Sequence, residues 1–171
     1  MRQRVYRKKM LNAFKSATCF MTLAAFMYGS NANAQLSTNP DKFLGNITTR
    51  GQVDYGAEKY YTLWNQITPE NESKWSSIEG NRDNFNWGGC DASYNYARQH
   101  NFPFKFHTLV WGSQYPSWMN NLSTKDQYEE IVEWMDAIKK RYPKLDMIDV
   151  VNEAVPGHAP AQYKNALGGD G

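Results

Sequence analysis

Asp149-Val150-Val151-Asn152-Glu153-Ala154 sets a carboxylate straight after a run of β-branched residues. Residues 147–151 read as a short buried strand, and Asn152-Glu153 stand where the chain leaves the core. Parallel strands that end this way bring an acid to the carboxyl-terminal rim of their sheet, within reach of a ligand. Two roles are open to Glu153 on this local view: a reactive acid, or a rim carboxylate held by a cap or an ion pair. Two segments upstream bear on the choice.

The first is Thr68-Pro69-Glu70-Asn71-Glu72-Ser73-Lys74-Trp75, directly after a short strand at 65–68. Glu70, Asn71 and Lys74 offer an acceptor, an amide that donates and accepts, and a cationic donor within one turn. Sugar hydroxyls, which donate and accept at once, call for that mixture. A polar loop with an internal Glu-Lys pair is the plainer account. The second is Phe106-His107-Thr108-Leu109-Val110-Trp111-Gly112-Ser113-Gln114-Tyr115-Pro116-Ser117-Trp118, at the end of an apolar strand at 104–111. An indole suits the C–H face of a pyranose while polar neighbours take the hydroxyls. Packing is the plainer account of both tryptophans, and the better one for Trp118.

Around these segments, strand and helix patterns alternate. Strands are expected at 43–48, 65–68, 104–111 and 147–151, helices at 55–63, 91–100 and 124–141, and the start of a further helix at 161–167. In the longest helix, Tyr128, Ile131, Val132, Met135 and Ile138 fall on one face. Ser123 or Thr124 can cap its start, Lys139, Lys140 and Arg141 suit its negative end, and Pro143 stops it. This βαβα order predicts an α/β fold with a parallel sheet and helices outside. About four strands are present, and residues 35–171 fall well short of the ~250 that a closed eight-stranded barrel takes.

The N-terminus follows a different logic. A basic stretch without acids precedes an apolar run at 17–28, and Ala32-Asn33-Ala34 forms a small-residue cleavage site before Gln35. Residues 1–34 thus read as a signal peptide, cleaved between Ala34 and Gln35, which directs the protein to secretion or the periplasm. Six of the 19 basic residues lie in this leader and none of the 17 acidic ones, which leaves 13 against 17, a net charge of about −4. A mildly acidic chain without a Lys/Arg stripe argues against nucleic acid, and against a membrane once the leader is gone. Cys90 is alone after the leader, so no internal disulfide is available. With three histidines and no ligand spacing, no metal site is expected.

Taken together, Glu70-Asn71 with Lys74, the stretch from His107 to Trp111 with Gln114 and Trp118, and Asn152-Glu153 resemble glycoside hydrolase family 10 in order and spacing. The likeness covers nearly all of 43–154. It implies an endo-β-1,4-xylanase on a (β/α)8 TIM barrel, of which about the first four β/α units are present in 35–171. By resemblance Glu153 is the general acid/base and Asn152 bonds the sugar 2-hydroxyl. Glu70, Asn71 and Lys74 bind on the glycone side, and His107 and Trp111 wall the subsite around the cleaved bond. The family usually carries a histidine where this chain has Gly112. Its nucleophile is a second glutamate on a later strand, expected beyond residue 171.

Retaining glycosidases place two carboxyl groups about 5–5.5 Å apart, one as acid/base and one as nucleophile. Glu70, Glu72 and Asp149 do not fit the second role: Asp149 lies deeper along its strand, Glu70 is placed to bind a hydroxyl, and Glu72 is expected to point away. The resemblance therefore implies a monomeric enzyme for xylan and xylo-oligosaccharides, without cofactor, and an inactive 171-residue chain taken alone. A non-catalytic xylan- or glucan-binding protein, or a related β-1,4-glucanase, also fits these residues.

Overall fold

The computed structural model describes residues 41–49, 53–54 and 59–169, all within the compact unit Gln35–Gly171. The expected leader and residues 55–58 of the first predicted helix lie outside the described residues. Among those described, no helix is long and apolar enough to cross a membrane.

Strand β1 (Gly45–Thr48) pairs in parallel with β2 (Gln66–Pro69), Gly45 opposite Gln66. Ile67 of β2 bridges Phe104 in parallel, which ties on the next strand. The continuous strands expected at 104–111 and 147–151 are each interrupted. They form β3 (Lys105–Phe106) with β4 (Val110–Trp111), and β5 (Met147–Ile148) with β6 (Val151–Asn152). β3 pairs with β5 and β4 with β6, again in parallel. The break has a chemical cause. Between the pieces, Thr108 Oγ1 donates to the Asp149 carbonyl at 2.7 Å, and the Ser73 hydroxyl donates to the His107 carbonyl. The His107 carbonyl is thus taken by a side chain, while the Asp149 carbonyl shares Thr108 Oγ1 with the Leu109 N–H at 3.0 Å.

Helices cover this sheet: α1 (Tyr60–Leu63), α2 (Trp75–Ile78), α3 (Gly88–His100) and α4 (Thr124–Arg141), with 3₁₀ turns at Ser117–Asn121 and Lys164–Leu167. α3 begins three residues before the predicted start, since the Asp91 N–H already bonds the Trp87 carbonyl at 2.8 Å. It stops at Asn101, whose left-handed φ of 56° closes the last turn. The helix expected at 161–167 amounts to the second 3₁₀ turn.

α4 keeps its predicted bounds, with Ser123 Oγ accepting the Asp126 N–H as its cap. Its buried face differs from the predicted one. Gln127, Glu130, Ile131, Trp134 and Ile138 are buried, whereas Tyr128 and Val132 stand 54% and 41% exposed. Trp134 turns the helix toward the sheet. It lies between Trp75 (5.5 Å, 6° between planes) and Trp87 (6.2 Å, 2°), and its Nε1–H donates to the Leu109 carbonyl at 2.9 Å. Glu130 tolerates burial because the Arg82 guanidinium meets it. Phe104, Phe106, Tyr142 and Ile67 complete a core rich in rings.

Trp134 joins α2, the loop before α3 and the β3–β4 junction. Truncation to Ala removes all three contacts and should cost about 3–5 kcal/mol. Urea unfolding of the W134A protein against its parent measures this, and a loss under about 1 kcal/mol would show that the stack is not a core.

Candidate functional site

The carboxyl ends of β2, β4 and β6 converge on one rim. At its centre is Trp111, opposite Asn152 in the β4–β6 register. The buried Tyr163 hydroxyl accepts the Trp111 N–H at 2.9 Å and donates to the Trp111 carbonyl at 2.6 Å. Burial pushes that phenol far above its ordinary value, so it remains a neutral donor and acceptor. With its backbone held, Trp111 points its indole N–H at Glu153 Oε2, 2.9 Å away. The Lys74 ammonium lies 4.8 Å over the same ring, a cation–π contact.

Lys74 stands at the N-cap of α2 and is buried. It donates to Asn71 Oδ1 at 2.9 Å and to Gln114 Oε1 at 2.6 Å, and Gln114 Nε2 closes the triangle on Asn71 Oδ1 at 3.1 Å. Burial lowers the Lys74 pKa, and the charges of Glu70, Glu153 and Glu72 oppose that fall. Glu70 extends the β1–β2 pairing through its N–H to the Thr48 carbonyl. The stem of Glu72 lies against Gly89 at the start of α3.

His107 sits one layer down. Its Nδ1 is 2.8 Å from Asp149 Oδ2, which also takes Lys105 Nζ at 2.9 Å. Desolvation pushes the Asp149 carboxyl up. The hydrogen bonds and charges of His107 and Lys105 outweigh this and hold it below the usual carboxylate value. Asp149 thus orients an imidazole ring from the deeper position its place in the strand gives it.

Glu153 has a left-handed φ of 53°, a conformation costly outside Gly and found where a surrounding structure over-determines it. The following loop folds back over the rim. A Cβ at Gly112 would lie 1.5 Å from the Ala159 carbonyl oxygen and 2.9 Å from the Ala161 nitrogen, so a side chain at 112 and this loop path exclude each other. The same loop brings His158 Nε2 to 3.2 Å from Glu153 Oε2.

Of the residues singled out from sequence, Asn71, Lys74, Trp111 and Glu153 form one connected chain of contacts. Glu70 joins it through its field on Lys74, Asn152 through the strand register, and His107 through its carbonyl on Ser73. Gln114, although part of the quoted motif, was not chosen, and its amide proves central to the triangle. Tyr163 and His158 were missed because they lie ten and five residues past Glu153 in a segment without periodicity. Asp149 had a signal, a lone acid inside an apolar strand.

Several other groups have structural explanations. Trp118 packs edge-on against Trp75 and donates Nε1–H to the Glu79 carbonyl at 3.1 Å. Cys90 is fully buried in α3, its thiol pushed up to about 12 by burial. Glu79, Asp83 and Glu130 cluster their oxygens within 4.8 Å. Glu79, however, already accepts Trp75 Nε1–H and the Asp83 N–H, and Arg82 holds Glu130.

The family model for Glycosyl hydrolase family 10 matches residues 34–169. The chain belongs to this family. Family 10 membership brings with it a (β/α)8 TIM barrel, and the parallel strands described above are part of one. Endo-1,4-beta-xylanase B of Cellvibrio japonicus is 58% identical over 122 residues, 71% of this chain and 20% of that protein. The family 10 structure from Paenibacillus barcinonensis superposes with a TM-score of 0.64 at 22% identity, over 74% of this chain and 41% of its own. Xylanase 10C of Cellvibrio japonicus, a variant solved with xylopentaose, gives 0.60 at 23% identity, over 74% and 29%. The chain thus spans between a fifth and about two fifths of the length of these relatives.

Two outcomes test this geometry. Because the folded-state pKa of Asp149 is depressed, its stabilisation is present above the unfolded value and lost as pH falls through the folded one. Asp149→Asn should therefore be less stable than the parent at pH 7, the gap closing below about pH 4; urea unfolding at pH 7, 5 and 3 reads this. Gly112→Ala should cost about 1–3 kcal/mol through overpacking against Ala159, visible as a lowered Tm.

Proposed function

We propose that residues 35–171 are the N-terminal half of a family 10 catalytic barrel, about its first four β/α units, exported by a leader at 1–34. The complete protein, on this reading, hydrolyses internal β-1,4-xylosidic bonds of xylan with retention, as a monomer without cofactor. The observation that carries it is the Lys74–Trp111–Glu153 arrangement: a cation and an acid joined through one indole at the ends of parallel strands. Polar groups beside an aromatic face suit a pyranose, and the family and its xylanase-named members support the substrate.

In the first step a carboxylate attacks the anomeric carbon as the glycosidic C–O bond breaks, and Glu153 gives its proton to the departing oxygen. In the second, the Glu153 carboxylate takes a proton from water, which attacks the same carbon and releases the nucleophile. That nucleophile is a glutamate on a later strand, beyond residue 171. Asn152 bonds the sugar 2-hydroxyl, and Glu70, Asn71 and Lys74 hold the adjoining sugar. His107 and Trp111 wall the subsite between them.

Exposed apolar side chains support the half-barrel reading. Val151 (53%) lies on β6 with Val150 (51%) just before it, and Ile47 (49%) lies on β1 with Phe43 (50%) two residues ahead of that strand. Among the described residues β1 has a strand on one side only, and so has β6. Further β/α units would cover these flanks, and the next helix would cover Tyr128 and Val132.

The test compares the complete protein, its Glu153→Gln variant and residues 35–171 alone on xylan and on a β-1,4-glucan. The complete protein should release xylo-oligosaccharides whose new reducing ends are first β-configured by NMR. E153Q should lower kcat/KM about 10²–10⁴-fold, and residues 35–171 alone should be inactive. Reducing-sugar release by residues 35–171 alone would sink the half-barrel mechanism. Faster cleavage of the glucan would reassign the substrate, and xylan binding without turnover would make the protein a binder.

A further inference from the structure

Two ring nitrogens meet one oxygen of Glu153. Trp111 Nε1–H reaches Oε2 at 2.9 Å from the strand side, and His158 Nε2 reaches the same atom at 3.2 Å from the loop side. A carboxyl group free to turn about its last torsion exchanges its two oxygens. The Trp111 hydrogen bond and the His158 contact both fall on Oε2, which leaves Oε1 as the oxygen open to carry or receive the proton.

The path of the loop is built for this contact. The Val155 N–H donates to the Glu153 carbonyl at 2.8 Å, and the His158 N–H donates to the Val155 carbonyl at 2.9 Å. His158 is therefore tied in two steps to the residue it touches. Gly157 and Ala159 on either side of it have left-handed φ values of 80° and 47°, which curls the chain around the imidazole. Beyond them Ala159 rests on Gly112, where a Cβ would obstruct it, and the buried Tyr163 fastens the segment to the Trp111 backbone. The ring itself is 65% exposed, so core packing does not account for it.

We infer that His158 is a positioning residue for Glu153, a second N–H donor that fixes which carboxyl oxygen faces the glycosidic bond. The inference rests on the proposed acid/base role of Glu153. When Glu153 is protonated, the proton sits on Oε1 and passes to the departing oxygen while Oε2 accepts the two N–H groups. When it is ionised, the same pair orients it toward water.

Leaving-group dependence separates positioning from general damage. An activated aryl leaving group departs without a proton, whereas a poor one needs the acid. In the complete protein, kcat/KM for phenyl β-xylobioside should fall about tenfold or more in His158→Ala, and that for 2,4-dinitrophenyl β-xylobioside less than about twofold. His158→Gln, which retains an N–H donor, should restore part of the loss on the phenyl substrate. Equal losses on both substrates, no loss on either, or unfolding of both variants by circular dichroism would overturn the inference. A parent protein that cleaves neither substrate overturns the proposed function itself, a result distinct from these.

Discussion

The rim depends on how Trp111 is held. A tryptophan at a strand end can point its ring to either side of the sheet, and the choice here is made by a phenol. Tyr163 satisfies both the N–H and the carbonyl of Trp111 from a buried position. Those two bonds replace the ladder contacts that an inserted strand would have supplied. With the backbone fixed, the indole offers its face to Lys74 and its edge donor to Glu153. Loss of the Tyr163 hydroxyl would free the ring on which both charges depend.

Much of this arrangement could be read from sequence, since it is written in short local patterns. Glu70, Asn71 and Lys74 share one turn, and Trp111 and Glu153 end adjacent parallel strands. The parts that could not be read are those set by distance along the chain. Nothing local to Tyr163 says that its hydroxyl will cross 52 positions to Trp111, and nothing local to Gly112 says that Ala159 will lie on it. The departure at Gly112 was visible as a missing ring. Its reason, a backbone pressed against the glycine, belongs to the tertiary structure.

The rotated face of α4 teaches the same point in energetic terms. Counting apolar positions favours Tyr128 and Val132, but burial follows the largest ring that finds partners. Trp134 meets two parallel indoles and a carbonyl acceptor, which outweighs the exposure of two smaller apolar side chains. Glu130 follows it inward because Arg82 neutralises it. Periodicity locates such a helix well and its rotation poorly, because ring stacking and ion pairs add to a face what hydropathy does not count.

Lys74 shows how a buried cation can be held at the rim without a carboxylate bonded directly to it. A buried ammonium paired directly with a carboxylate would have its charge largely spent. Here two of its three donors go to the side-chain oxygens of Asn71 and Gln114, which are neutral, and its charge is spread over the Trp111 ring. Burial depresses its pKa, while Glu70, Glu153 and Glu72 act from a distance to keep the proton on. The outcome is a fixed donor whose field is balanced by surrounding acids without being quenched by any one of them. Glu153 is one of those acids, and its charge reaches Lys74 from the far side of the indole. The polar triangle and the acid thus meet at Lys74, the one through hydrogen bonds and the other through its charge.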